Sequence, residues 1–305
     1  MMPRKIENGA AVGLIVFLAV VPLVFKILQS LFFIQIPDAE SIVVHVVFVY
    51  ACLAGIITWR ENRHLSLASF VERFPEPAQR IIVVIKNFFT AAVLTALFIN
   101  AVCQLVHPAQ FTTTVWHIPL RVFFLFLPCC YLMLMVISVR QQKVRVPAVA
   151  GIVVGALCAS GPLAGILYFL FGWENLPLLH AVDGAWIAAA FAARWPFVII
   201  CGVLAFFGVP LFVVFAGIAS VLLSGYVDVI PLETYRILSD RSNAAIPLFT
   251  IAGYILPHGS AGKRFVELFK SLFGWFRGGT VVAAVIVATF FSTFTGVSGV
   301  TILAL

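Results

Sequence analysis

Long apolar runs separated by short polar segments make up most of the chain. The first five runs lie at about 10–33, 42–59, 81–106, 120–139 and 147–171. Runs of this length approach or exceed the ~20 apolar residues with which a helix crosses the hydrocarbon core. Strands of a membrane barrel would instead alternate in polarity over about 10 residues, and the sequence lacks that period. The pattern therefore predicts an all-α polytopic membrane protein.

The runs that follow are shorter and more broken. The polar segment 172–186 predicts an external link. Because Pro210 cannot donate the backbone hydrogen bond of a continuing helix, we predict two antiparallel spans, at 186–208 and 211–226. A third span is predicted at about 243–256.

Two further segments have an amphipathic pattern. In the segment 263–277 the apolar residues follow one helical face, namely Phe265, Leu268, Phe269, Leu272 and Phe276. Charged and polar residues occupy the remaining positions, so we predict a helix that lies in the inner membrane interface rather than across the membrane. The segment 65–74 predicts a shorter helix at the same interface, with a surface loop as the alternative.

The composition excludes other classes of protein. Of the 305 residues, 63% are hydrophobic and 10% are charged, whereas soluble domains carry about 25% charged residues. The net charge of +7 does not indicate nucleic-acid binding, because Lys and Arg cluster at the N-terminus, at 60–80 and at 140–145. This is the distribution of the positive-inside rule. It predicts a multi-pass protein among membrane lipids, with a cytoplasmic N-terminus and no nucleic-acid partner.

The reactive side chains show no catalytic or metal-binding pattern. The six cysteines lie inside apolar segments, and the six histidines show no pairing that suggests a metal site. No nucleophile–base constellation and no phosphate-binding loop of the form GxxxxGK[ST] is present. We therefore expect neither an enzyme activity nor a cofactor.

Residues 290–305, FFSTFTGVSGVTILAL, break an apolar run with Ser, Thr and Gly. The preceding run, 280–291, is about 12 residues long, or ~18 Å as a helix, little more than half of the ~30 Å core. We predict that 292–301 interrupts the helix at mid-depth, where only protein or a water-filled cavity can satisfy the backbone. Transporters use such breaks to bind Na⁺ and substrate, and Ser and Thr supply hard oxygen ligands. The alternative is that these small residues only pack helices together.

The order of motifs resembles a known family. HLSLASF, FFGVPLFVVFAGIA, AAIPLFTIAGYIL, the amphipathic basic helix and TGVSGVTILAL follow one another as in a fused small (Q) and large (M) membrane subunit of a TRAP (tripartite ATP-independent periplasmic) transporter. The resemblance implies a four-helix Q-like subunit at 1–146, a linking transmembrane helix at 147–178 and an incomplete N-terminal part of the M-like subunit at 179–305.

The resemblance also implies a fold and a site for the last part. It would be the first part of an elevator-type, inverted-repeat transport domain, with residues 289–305 as its first re-entrant hairpin. The Na⁺ candidates implied in this way are Gly296, Ser298, Gly299 and Thr301, and weaker candidates for ion or substrate binding are Ser292, Thr293 and Thr295. Na⁺ is expected as the coupling ion, with no further cofactor.

The function implied is Na⁺-coupled uptake of organic acid anions, of the C4-dicarboxylate or sugar-acid class, across a bacterial inner membrane. An extracytoplasmic substrate-binding protein would deliver the carboxylate substrate. Ala304 stands where some sialic-acid-type members carry an acidic residue, which weakens a sialic acid assignment. Because Leu305 falls inside the hairpin, we expect a truncated product, a fragment or half of a split protein, with the second half of the large subunit as a missing partner. The alternatives are a non-transporting scaffold or truncated subunit, and an ion-coupled transporter that needs no binding protein.

Overall fold

The computed structural model describes residues 4–33, 38–66, 74–108, 111, 113–142, 145–173, 176–258, 260–275 and 278–295. These residues form helices, apart from loops and one short hairpin of two antiparallel strands, β1 (Thr114–Val115) and β2 (Ile118–Pro119). In chain order the helices are α1 (Arg4–Phe32), α2 (Ala39–Arg60), α3 (Glu76–Val106), α4 (Leu120–Phe124), α5 (Phe126–Gln141), α6 (Val146–Cys158), α7 (Ser160–Phe171), α8 (Pro177–Phe206), α9 (Leu211–Leu222), α10 (Val229–Leu238), α11 (Ala245–His258), α12 (Ser260–Phe273) and α13 (Gly279–Thr295). A 3-10 helix, Arg241–Ala244, precedes α11.

Five of the described helical segments are long and apolar enough to cross a membrane. They are Glu7–Phe32, Ala39–Arg60, Glu76–Val106, Leu120–Gln141 and Pro177–Phe206. The predicted all-α polytopic class is confirmed, and the first four predicted spans fall on the first four of these segments.

The predicted fifth span at 147–171 is not one straight helix. It consists of α6 and α7, which are bent by 71° where they meet. Pro162 has no backbone N–H to donate to the carbonyl of Cys158, which weakens a continuous helix at this point. The N–H of Gly161 bonds instead to Asp183 Oδ1 in α8, at 3.2 Å. The break is therefore stabilised by a side chain of the neighbouring helix.

The same contact explains why the segment 172–186 is not wholly a link. Helix α8 already begins at Pro177 and runs for 30 residues, and Pro is favoured in the first helical turn. Asp183, one of the polar residues that suggested an external loop, has its partner in the Gly161 N–H. Helix α10 was not predicted, and α9 is shorter than the span expected at 211–226.

The predicted interfacial helix at 65–74 falls mostly on residues outside the described part of the chain. Its first residues are extended rather than helical. Ser66 forms a β-bridge with Pro210, and the N–H of Leu211 donates to the carbonyl of Leu65 at 3.1 Å. The loop after α2 is thereby joined to the tight turn between α8 and α9.

Described residues within 1–11 and 48–238 form one compact unit, and those within 12–47 and 239–305 form another. In the first unit α3 lies at the centre, in contact with α5, α6, α7, α9 and α10. Its core includes a cluster of rings in which Tyr235 lies edge-on to Phe48 and to Phe124, with centroid distances of 5.0 and 5.5 Å.

The contact between α3 and α6 brings the two backbones together. A Cβ atom on Gly151 would overlap the carbonyl oxygen of Phe88, and one on Gly155 would overlap that of Ala92. Small residues four positions apart allow this approach in membranes, where van der Waals packing drives helix association. The two glycines are therefore a steric requirement of the bundle.

We predict opposite effects for two glycine substitutions in helices. Gly155→Ala should lower stability by about 1–3 kcal/mol, because the added methyl meets backbone that cannot rotate away. Gly202→Ala in α8, where a Cβ would meet nothing within 4 Å, should raise it by up to about 1 kcal/mol through helix propensity. Thermal unfolding of the purified chain in detergent measures both. Equal shifts for the two variants would contradict the close α3–α6 contact.

Candidate ion and substrate site

The predicted site lies at the end of the second compact unit. Helices α11, α12 and α13 contact one another pairwise there. Helix α12 confirms the helix predicted over this amphipathic segment, and Leu268 and Leu272 on its apolar side are about half exposed. That α12 lies in the membrane interface stays a prediction.

A glycine turn connects α12 to α13. Gly278 has a φ of +90°, in the left-handed region that glycine adopts without strain. A Cβ on Gly279 would overlap the carbonyl oxygen of Phe273. The turn therefore requires the Gly-Gly pair that closes the amphipathic segment.

Helix α13 is longer than predicted. It has 17 residues, about 25 Å along its axis, and does not end after Phe291. Ser292, Thr293 and Thr295 belong to the helix rather than to an interruption. Hydroxyl residues are tolerated in a helix when they bond to the carbonyl four residues earlier, as Thr289 does with Val285 at 2.8 Å. A break after Thr295 would lie deeper along the axis than the mid-depth position expected.

Gly296, Ser298, Gly299 and Thr301 lie outside the residues that the structure describes. Their ligand roles therefore stay predictions. The described residues contain no group of three or more His, Cys, Asp or Glu that could hold a metal ion.

A polar contact that the sequence interpretation missed lies within the first compact unit. Gln104 Nε2 in α3 donates to Asp228 Oδ2, just before α10, at 3.3 Å. The Gln104 side chain is buried. An amide inside an apolar run was the available signal, because polar groups at membrane depth need a partner. Asp228 lies between two short apolar runs. Because it is 124 residues from Gln104 in the sequence, the pairing could not be inferred from the sequence.

This contact and the Leu65–Leu211 hydrogen bond lie at opposite ends of the bundle. Residue 65 follows α2 and precedes α3, whereas Gln104 lies in the last turn of α3. Each end joins the N-terminal helices to the segment that follows α8. The turn at 208–210 therefore lies at the same end as the basic loop 60–80.

Two protein families match the chain, one in its N-terminal half and one in its C-terminal half. The family described as tripartite ATP-independent periplasmic transporters, DctQ component, matches residues 19–148. The family described as tripartite ATP-independent periplasmic transporter, DctM component, matches residues 184–305. The chain belongs to the TRAP transporter family. It joins DctQ and DctM sequences in one polypeptide, and most of α6, with α7 and the start of α8, lies between the two matches.

Two curated relatives are both named C4-dicarboxylate TRAP transporter large permease protein DctM. The protein of Vibrio cholerae is 34% identical over 61 residues, which are 20% of this chain and 14% of the relative. That of Rhodobacter capsulatus is 30% identical over 79 residues, 26% of this chain and 18% of the relative. The chain thus spans less than a fifth of the length of each of these relatives in the aligned regions. Together with the apolar helices, the matches show a multi-pass bacterial inner-membrane component of a TRAP transporter, and not an enzyme.

We predict that the Gln104–Asp228 contact couples the two TRAP components energetically. Gln104→Met, Asp228→Ala and the double variant form a thermodynamic cycle. The single changes should each cost about 1–3 kcal/mol, because each leaves a partly buried polar group without its partner. The double variant should be more stable than the sum of the two losses implies. Thermal unfolding in detergent measures the cycle, and additivity within about 0.5 kcal/mol would show that the pair is not coupled.

Proposed function

We propose that this chain forms the membrane part of a Na⁺-coupled secondary transporter that takes up organic acid anions. The observation that carries the proposal is the succession of DctQ and DctM matches along one chain. The C4-dicarboxylate named for both curated relatives supports a carboxylate substrate. An extracytoplasmic binding protein delivers the anion, and the Na⁺ gradient drives uptake without nucleotide hydrolysis.

The proposed ion site follows directly after α13. Gly296, Ser298, Gly299 and Thr301 supply backbone carbonyls and hydroxyl oxygens, which are the hard ligands that Na⁺ takes at discontinuous helices. Ser292, Thr293 and Thr295, in the last turn of α13, have secondary roles in ion or substrate binding. The fixed turn at Gly278 and Gly279 supports this arrangement, because it sets where α13 starts relative to the interfacial helix α12.

We also propose that the N-terminus is cytoplasmic. Glu7, near the start of α1, forms a buried ion pair with Arg60 at the end of α2, so these two termini meet at one end of the bundle. That end also carries the basic loop 60–80 and the basic segment after α5. By the positive-inside rule it faces the cytoplasm, and Gln104 and Asp228 then lie towards the periplasm.

Within this proposal the α3-centred bundle is the static scaffold of an elevator. Its backbone-to-backbone contact at Gly151 and Gly155 suits a part that stays in place while the transport hairpin moves. A second inverted repeat, encoded with or beside this chain, completes the binding core. The alternative, a scaffold that does not transport, makes the opposite prediction in the experiment below.

We predict that Ser298→Ala raises the Na⁺ requirement of uptake in the complete transporter that contains this chain. Loss of one hydroxyl ligand should shift the Na⁺ concentration for half-maximal uptake by about tenfold, which corresponds to ~1.4 kcal/mol. Uptake of radiolabelled succinate into proteoliposomes, with the binding protein present and the Na⁺ gradient varied, measures it. Ser271→Ala on α12, whose hydroxyl bonds to the carbonyl of Leu268, is the matched control.

Three results would contradict the proposal at different levels. An unchanged Na⁺ dependence in Ser298→Ala removes the ion-site assignment. Uptake that is independent of Na⁺ in the unmodified protein removes the coupling. No uptake of any organic acid anion by the complete protein, at normal expression and folding, favours the scaffold.

A further inference from the structure

A cleft of about 840 Å³ opens beside the start of α3 in the first compact unit. It lies between the ends of α2 and α5, the start of α6 and the α8–α9 turn. The polar residues around it include Asn62, His64, Glu76, Gln79, Arg80, Lys86, Asn87, Thr90, Ser138, Gln141 and Gln142. The cleft reaches from the basic end of the bundle towards the middle of α3. Neither the DctQ match nor the proposed transport site gives it a role.

Arg80 and Lys86 are cations that line the cleft. Lys86 is half-buried within a membrane-spanning segment, and neither it nor Arg80 forms an ion pair with a described residue. The acidic residue among the described lining residues, Glu76, lies ten positions from Lys86, about 15 Å along the helix axis. Charged side chains at membrane depth are costly unless they are paired. The cleft is therefore suited to an anion.

Thr90, at the deep end of the cleft, points to the same conclusion. Five other threonines in described helices donate their hydroxyl to the carbonyl four residues earlier, namely Thr58, Thr95, Thr234, Thr250 and Thr289. Thr90 is 3% exposed, yet its Oγ1 has no hydrogen-bond partner among the residues that the structure describes. A buried hydroxyl without a partner costs free energy unless something in the cleft bonds to it.

His64 and Gln142 add two further unsatisfied groups. His64 stacks on Trp59 with a centroid distance of 4.9 Å, and its buried Nδ1 has no hydrogen-bond partner in the described part of the chain. Burial, together with the nearby charge of Lys86, lowers the pKa of His64 below its ordinary value. The neutral ring can donate one hydrogen bond. Gln142 Oε1 is also buried with no partner from a described residue, and the amide nitrogen donates to Ser138 Oγ.

The apolar residues of the cleft narrow the class of ligand. Val83 and Val84 line it and are themselves 49% and 44% exposed, beside Ile81 and Ile85 on α3, which are 61% and 42% exposed. A small inorganic anion would leave this apolar wall uncovered. A glycerophospholipid would place its acyl chains along the wall and its phosphate among Arg80, Lys86 and Thr90.

We propose that this cleft is a binding site for the phosphate group of an anionic phospholipid, held by Lys86 and Arg80 with the Thr90 hydroxyl. The site lies at the basic end of the bundle, where anionic headgroups concentrate near Lys and Arg. The proposed lipid site does not rest on the proposed transport function. The lipid supplies the missing counterion and bonds to the buried hydroxyl.

Native mass spectrometry of the purified full chain, titrated with phosphatidylglycerol, tests the site. Lys86→Gln removes a charged hydrogen-bond donor and should weaken formation of the one-lipid complex about tenfold or more. Thr90→Val removes a neutral hydroxyl and should weaken it about threefold to tenfold. Lys26→Gln, which changes a lysine of α1 that is not among the residues lining this cleft, should leave the complex unchanged. Thermal unfolding without lipid checks that each variant is folded, and Thr90→Val should be at least as stable as the parent.

The same titration, repeated with inorganic phosphate, distinguishes a phospholipid headgroup from free phosphate as the ligand. A complex with phosphatidylglycerol that both cleft variants weaken supports the proposal. Equal binding by the parent and both folded cleft variants overturns it. Stabilisation by inorganic phosphate alone, with no lipid complex, overturns the lipid assignment.

Discussion

The close approach of α6 to α3 is the constraint on which the arrangement of the first compact unit depends. Gly151 and Gly155 place the backbone of α6 against the carbonyls of Phe88 and Ala92, and no side chain fits between them. Through this contact the segment between the two family matches is fixed to the central helix of the DctQ part. Helices α7, α9 and α10 then also pack on α3. One helix thus organises residues from both TRAP components.

Polar groups inside the apolar bundle hold this arrangement in register. Three such contacts join different helices or loops: the Gly161 N–H with Asp183, Gln104 with Asp228, and the carbonyl of Leu65 with the N–H of Leu211. In hydrocarbon the apolar surfaces of two helices discriminate little between neighbouring positions. Hydrogen bonds that would otherwise go unmade therefore contribute much of the specificity of packing.

Apolar run length was sufficient to predict the class and the first four spans, because crossing a bilayer imposes a minimum length on each helix. It did not predict the 71° bend between α6 and α7, since the acceptor that stabilises it, Asp183, lies more than twenty residues from Gly161 and resembled a loop residue. Ser292 and Thr293 suggested a break because hydroxyls are common at discontinuous helices. They continue α13 instead. The ligand roles of Gly296 to Thr301 rest on sequence alone.

The α3–α6 contact has a consequence for biogenesis. A ribosome releases α3 well before α6, so the surface that receives the two glycines is already in the bilayer when α6 leaves the translocon. Helix α6 is apolar along its whole length but has 13 residues, fewer than the ~20 that cross the core, and a neighbour already in place can select its rotation about its own axis. The order of synthesis and the order of packing therefore coincide. Exchanging the two segments in the gene would keep every helix hydrophobic and yet remove the template on which the later one docks.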